Sequence, residues 1–185
     1  SRAFPELRPN RRAPAAPPVD VAAMVKDYKG DAVAAAGEVF DASPANLDAR
    51  AQRFTLPNGM KVALLPKKTR GEAVNFSLTL RFGDEKSAFG KATDGVVAGS
   101  MLLRGTTSKS RQEINDEFDR LRAKVSVSGS ATGASANGQT FRAQLPDTLR
   151  LVADVLKNPA FPSTELDQLK RARAASLETA RSDPQ

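Results

Sequence analysis

The chain has no histidine, no cysteine and no tryptophan, and only one tyrosine among 185 residues. General acid–base chemistry near neutral pH draws mostly on imidazole, and protein-bound zinc is held mostly by imidazole and thiolate. A Ser-His-Asp hydrolase and a conventional zinc centre are therefore not expected within this chain, and Ser100, Ser110 and Ser128 have no imidazole to activate them. Without cysteine there is no disulfide framework, and the redox compartment is left open; a periplasmic setting is compatible with that composition. No apolar run approaches the length of a bilayer-crossing helix, so no membrane span is expected. No D-x-D-x-D-G calcium loop occurs. Gly90, Gly95 and Gly99 do not form the G-x-x-x-x-G-K-[ST] pattern of a phosphate loop.

What is present is a moderately basic, 40% hydrophobic chain of net charge +7. Residues 1–50 carry seven basic and seven acidic side chains, so the whole excess falls on residues 51–185. Such an excess reads either as a solvated basic surface or as the complement of an acidic partner.

Residues 1–20 contain Pro5, Pro9, Pro14, Pro17 and Pro18 and few core-forming side chains, which suits a linker or extended arm. A short helix is expected near 20–29. Residues 1–50 are thus read as a Pro-rich arm with a short helical segment, and 51–185 as the folded domain. Both ends, Ser1 and Asp183-Pro184-Gln185, read as cuts within a longer protein, the domain being truncated at its C-terminus.

Within the domain, Asn58-Gly59 between Phe54-Thr55-Leu56 and Met60–Leu65 predicts a β-hairpin, with both turn residues free to take positive φ. Phe76, Leu78, Leu80 and Phe82 alternate with Ser77, Thr79 and Arg81, the pattern of a half-buried strand. A helix is expected from Asp94 to Arg104, ending at a left-handed Gly105. Ser110 and Glu113 form a capping-box pattern opening the next helix, with Ile114, Phe118 and Leu121 on one face. That role also explains Ser110 better than a Ser-Lys dyad with Lys109. Strands are predicted at Lys124–Ser128 and Gln139–Leu145. The small-residue run Ala123–Gly138 reads as a hairpin connection with a frayed tip, or as a flexible binding loop. Two helices complete the chain, Pro146–Lys157 burying Leu149, Val152 and Leu156, and Ser163 to about Arg181. The order β-hairpin-β-α-α-β-β-α-α implies an α+β fold, a mainly antiparallel sheet with helices on one face.

Four stretches in this order resemble the insulinase/pitrilysin family of zinc peptidases: Leu56-Pro57-Asn58-Gly59-Met60-Lys61-Val62, Met101-Leu102-Leu103-Arg104-Gly105-Thr106, Leu151 to Phe161 with its Asn-Pro-x-Phe stop, and the helix reaching Asp183-Pro184. In active members of that family the helix before the Gly-Thr stop carries H-x-x-E-H: two imidazoles one turn apart hold zinc and a Glu activates its water. The resemblance places those three positions on Val96, Gly99 and Ser100, so the fold is kept and the metal chemistry is not. The nearest counterpart of the third ligand is Glu178, which reads equally as a solvated helix-surface carboxylate. Ser130 and Ala131 stand where the family has Asn-Ala at an active-site edge strand.

The resemblance further implies two similar halves closing like a clamshell, only one of them bearing zinc. No catalytic or metal-binding residue is then expected here; zinc belongs to a motif-bearing half, on the same chain or a second subunit, which cleaves the peptide substrate. Residues 1–50 would connect the halves. A non-proteolytic structural or assembly subunit of the same fold is the alternative. A basic nucleic-acid-binding module is less well supported, because Phe76 and Phe82 share a face with leucines and no aromatic platform is evident. Lys170, Arg171 and Arg173 match Lys67, Lys68 and Arg70 as basic clusters whose proximity the sequence does not fix.

Overall fold

The computed structural model describes Lys26 and residues 35–182; the helix expected near 20–29 and the ending at Asp183-Pro184 lie outside the described residues. The elements are α1 (Pro44–Arg50), β1 (Gln52–Thr55), β2 (Lys61–Leu64), β3 (Ala73–Arg81), α2 (Glu85–Ala88), α3 (Ala92–Met101), α4 (Arg111–Arg120), β4 (Lys124–Ser130), β5 (Gly133–Phe141), α5 (Leu145–Lys157) and α6 (Ser163–Ser182). The expected order is present, with the short helices α1 and α2 added. The strands form two antiparallel sheets, a β1-β2 pair and a three-stranded sheet of order β3-β5-β4.

The β1-β2 turn differs from the expectation in detail. Gly59 alone takes positive φ, at 82°, while Asn58 contributes its side chain, Oδ1 accepting from the Met60 N–H at 3.1 Å. The Gly59 N–H donates to Leu56 O and the Leu56 N–H to Met60 O, closing the loop.

The core lies between one face of the larger sheet and helices α4 and α5: Ile114, Phe118, Leu121, Ala123, Ala136, Leu151, Val152 and Val155 are buried, with Phe76, Leu78, Val125 and Val127 packed against them. Alternation puts Asn75, Ser77, Thr79, Ser126, Ser128, Ser135, Asn137 and Gln139 on the opposite face, linked by Ser77–Asn137 and Ser128–Ser135 hydrogen bonds of 2.7 and 2.8 Å. The capping box of α4 is formed in both directions, the Ser110 N–H donating to Glu113 Oε2 at 2.7 Å and the Glu113 N–H to Ser110 Oγ at 3.3 Å.

Three expectations need correction. The run 123–138 is not a loop: β4 and β5 extend through it and only Ala131 and Thr132 turn. The second strand stops at Phe141, not Leu145, because Arg142–Gln144 form a turn into α5. Helix α5 buries Thr148, Leu151, Val152 and Val155; Leu149 is 42% exposed. The inward face includes a threonine, Thr148, whose Oγ1 donates to Gln144 O at 2.9 Å and so enters the core satisfied. Leu151→Ala should accordingly cost about 3 kcal/mol, and Leu149→Ala under about 0.5 kcal/mol, as read from urea denaturation midpoints. Equal effects would contradict this assignment of the α5 face.

At the other end of α3, a 3-10 turn (Leu102–Arg104) leads to Gly105, whose φ of 144° lies on the positive side that favours glycine, as expected, while its ψ of 142° departs from the left-handed helical value. This Gly-Thr stop and the Asn-Pro stop of α5 meet in space. The Thr107 N–H donates to Asn158 O at 2.9 Å and the Ala160 N–H to Gly105 O at 3.0 Å, around a Thr106–Pro159 bridge. Beneath this junction the Asn158 amide bonds Asp154 Oδ1 at 2.8 Å. That bond first, then Thr106, the Lys109 charge and Ser108, hold the Asp154 carboxyl below the usual aspartate range against the opposing effect of burial. The other oxygen, Oδ2, is buried and has no hydrogen-bond partner among the described residues.

Candidate functional site: the outer and inner faces of helix α3

Helix α3 carries Gly95 and Gly99 one turn apart, at a cost of about 1 kcal/mol each relative to alanine in a helix interior. The reason lies in the packing. A β-carbon at position 99 would stand 2.2 Å from the Gly129 N and 2.5 Å from its Cα, and one at position 95 would stand 2.4 Å from the Ala131 N. Reciprocally, a β-carbon on Gly129 would be 2.8 Å from the Gly99 Cα. The helix thus lies backbone-on-backbone against the end of β4, with Ser130 and Ala131 forming the strand end and turn on which Gly95 rests.

Val96 and Ser100 point the other way. Val96 is 44% exposed. Ser100 Oγ donates to Val96 O at 2.8 Å and accepts from Arg173 Nη2 at 3.4 Å. Arg173 is delivered by α6, which is anchored at its start by Glu165: this carboxylate pairs with Arg104 at 2.8 Å, both side chains about four-fifths buried, and with Arg111 at 3.4 Å. Because Arg104 follows Ser100 while Glu165 precedes Arg173, α6 runs antiparallel to α3. Glu178 lies further along α6, on its exposed final turns.

These residues do not fit a zinc ion. Valine has no donor, position 99 has no room for a side chain, and the Ser100 hydroxyl is already engaged beside a guanidinium, whose charge opposes a cation. Among the described residues no three of His, Cys, Asp or Glu gather as a possible metal set.

An apolar cleft of about 430 Å³ opens beside the α3–β4 contact, with Leu80, Phe82, Gly95, Leu102, Leu156 and Phe161 in its walls. It marks where the alternation of β3 runs out: Leu80 and Phe82 continue the inward face but are exposed, at 36% and 52%. The two basic clusters lie apart. Lys67 and Lys68 border Val74 and Arg142, at the end of the sheet where Ala73 pairs with Phe141, whereas Arg173 meets α3, which packs at the opposite end near Gly133. Sequence reasoning missed the glycine contact, Arg173 and the cleft; the one available signal was the pair of glycines at i and i+4 within a helix.

The α+β sheet domain with this helix arrangement has the fold of M16 peptidase domains. The crystal structure of a peptidase M16 inactive domain from Pseudomonas fluorescens is 23% identical, covering 72% of this chain and 32% of its own length, with a TM-score of 0.56. A ferredoxin protease solved in complex with Arabidopsis ferredoxin is 18% identical, covering 69% of this chain and 14% of its own, with a TM-score of 0.50. The chain therefore spans about a third of the first structure and a seventh of the second. No family model matches the chain, and no curated protein does.

Proposed function

We propose that this chain is a non-catalytic domain of an insulinase/pitrilysin-type zinc peptidase, completing the chamber in which a separate motif-bearing half cleaves peptides. The observation that carries this reading is the α3–β4 contact: the helix that bears H-x-x-E-H in active members has a strand backbone where the catalytic carboxylate would stand. The likeness to a domain described as inactive supports it. So does the open face of the larger sheet, whose middle is Ser, Thr, Asn and Gln with charge only at the strand ends, in Arg81 and Lys124, and which offers a passing peptide little apolar adhesion. In this reading zinc and the general base reside in the partner half, Val96, Gly99 and Ser100 have no catalytic role, and residues 1–50 connect the two halves.

A nucleic-acid role loses its footing here. Phe76 packs into the core, and among the described residues the register puts only Phe141, at the sheet's end, on the open face, which is short of a stacking platform.

The test is complementation. The isolated chain should show no zinc-dependent peptide hydrolysis, and adding it to a motif-bearing half from the same source should raise that half's cleavage of unfolded peptides at least about tenfold, by restoring an enclosed, oriented site. Failure of the two to associate would remove the chamber role and leave the structural or assembly subunit.

A further inference from the structure

Residues 35–40 have no helix or strand of their own, yet they are stitched to the domain by four hydrogen bonds and two cation–ring contacts. The Glu38 N–H donates to Lys68 O at 2.9 Å and the Gly71 N–H to Ala35 O at 3.2 Å, an antiparallel pairing of the segment with Lys68–Gly71. The Glu38 carboxylate accepts from Arg50 Nη2 at 2.9 Å and from the Lys68 N–H at 3.1 Å. The Phe40 ring lies between the Arg50 guanidinium, 5.3 Å from its centre, and the Lys67 ammonium at 4.8 Å. Gly37 lets the segment lie flat, since a β-carbon there would come within 3.1 Å of the Arg70 N and 3.2 Å of Lys68 O. Val39, between the two anchors, is fully exposed. The residues that matter are therefore a glycine, an acid and an aromatic, spaced Gly-acid-x-aromatic.

We propose that Gly37–Phe40 is a latch, a Gly-acid-x-aromatic segment seated in a cationic groove made by Arg50, Lys67 and the Lys68–Gly71 backbone, which fixes the point at which the preceding chain leaves the domain. The inference stands apart from the proposed peptidase role, since it uses none of α3, α6 or the cleft. Charge and shape act together: Arg50 serves both Glu38 and Phe40, so losing it loosens both anchors. The Arg50 hydrogen bond foremost, then the Lys68 N–H, hold the Glu38 carboxyl below the usual glutamate range, so the anchor is charged at neutral pH. The charged groups acting on this carboxylate are Arg50 and Lys68, both cationic. A few partly exposed contacts hold six ordered residues against their conformational entropy, so the latch sits near balance and one lost anchor opens it.

Hydrogen exchange on the full chain tests this. In the wild type the Glu38, Lys68 and Gly71 amides should exchange at least about tenfold more slowly than unstructured amides. Glu38→Gln and Gly37→Val should each remove most of that protection while leaving the Ala136 and Thr140 amides in β5 unchanged. Should Gly37→Val also disturb β5, Glu38→Gln alone decides. Unprotected Glu38 and Gly71 amides in the wild type would overturn the proposal, as would full protection in Glu38→Gln.

Discussion

Gly99→Ala should lower stability by about 3 kcal/mol, even though alanine is the better helix former by about 1 kcal/mol. The two effects oppose each other, and distance decides between them. A methyl carbon 2.2 Å from the Gly129 N and 2.5 Å from its Cα lies deep within van der Waals repulsion. Both neighbours are backbone atoms, so no side chain can rotate away; α3 or β4 must move. Against a total stability of about 5–15 kcal/mol this is a large fraction, and for a domain of this size it corresponds to a fall in Tm of roughly 10 °C. Gly90→Ala is the matched control. Its φ is 71° with nothing within 4 Å, so it bears only the backbone cost of about 1–2 kcal/mol. Thermal and urea denaturation of the two variants should therefore separate clearly, and a stabilised Gly99→Ala would show that α3 does not lie against β4.

Introducing the H-x-x-E-H motif of active insulinase/pitrilysin-type peptidases should fail at one position and not at the other two. Val96→His and Ser100→His place two imidazoles one turn apart on a half-open face, and the double variant should fold with a stability within about 1 kcal/mol of wild type. It should take up zinc only weakly, because two ligands leave the coordination incomplete and Arg173 stands beside position 100. Adding Gly99→Glu drives a whole carboxylate side chain into the Gly129 backbone. The triple variant should lose cooperative folding, or retain it only with α3 displaced, and in neither case bind stoichiometric zinc or hydrolyse peptides. Equilibrium dialysis for zinc with circular dichroism melts distinguishes the variants. A folded triple variant with one zinc and peptidase activity would mean that the site is merely unfurnished, not closed.

The parts of the fold legible in the sequence were those dictated locally. The Ser110/Glu113 capping box, the alternation through Phe76 and Leu78, and the Asn158-Pro159 stop of α5 all rest on residues a few positions apart. The β4-β5 hairpin was misread because Gly129, Ser130, Gly133, Ala134, Asn137 and Gly138 have low strand propensity. Their smallness answers to tertiary neighbours. Gly129 admits the backbone of α3, and a β-carbon on Gly138 would meet the Phe76 ring at 2.6 Å. The central strand β5, hydrogen-bonded on both sides, gains from its partners what its residues lack. The α5 face slipped for a related reason, since leucine identity pointed to Leu149 whereas the hydrogen-bonded Thr148 is the residue inside. At the site, the lack of zinc ligands at Val96, Gly99 and Ser100 could be read from residue types alone. The closure of position 99 could not, because it depends on a strand thirty residues further along the chain.

That closure is most directly tested by nuclear Overhauser contacts in the unmodified protein. The account predicts strong cross-peaks between the α-protons of Gly99 and Gly129, with weaker ones from Gly95 to Ala131. A Gly99 whose α-protons see only its own helix and solvent would leave room for a carboxylate at that position and contradict the account.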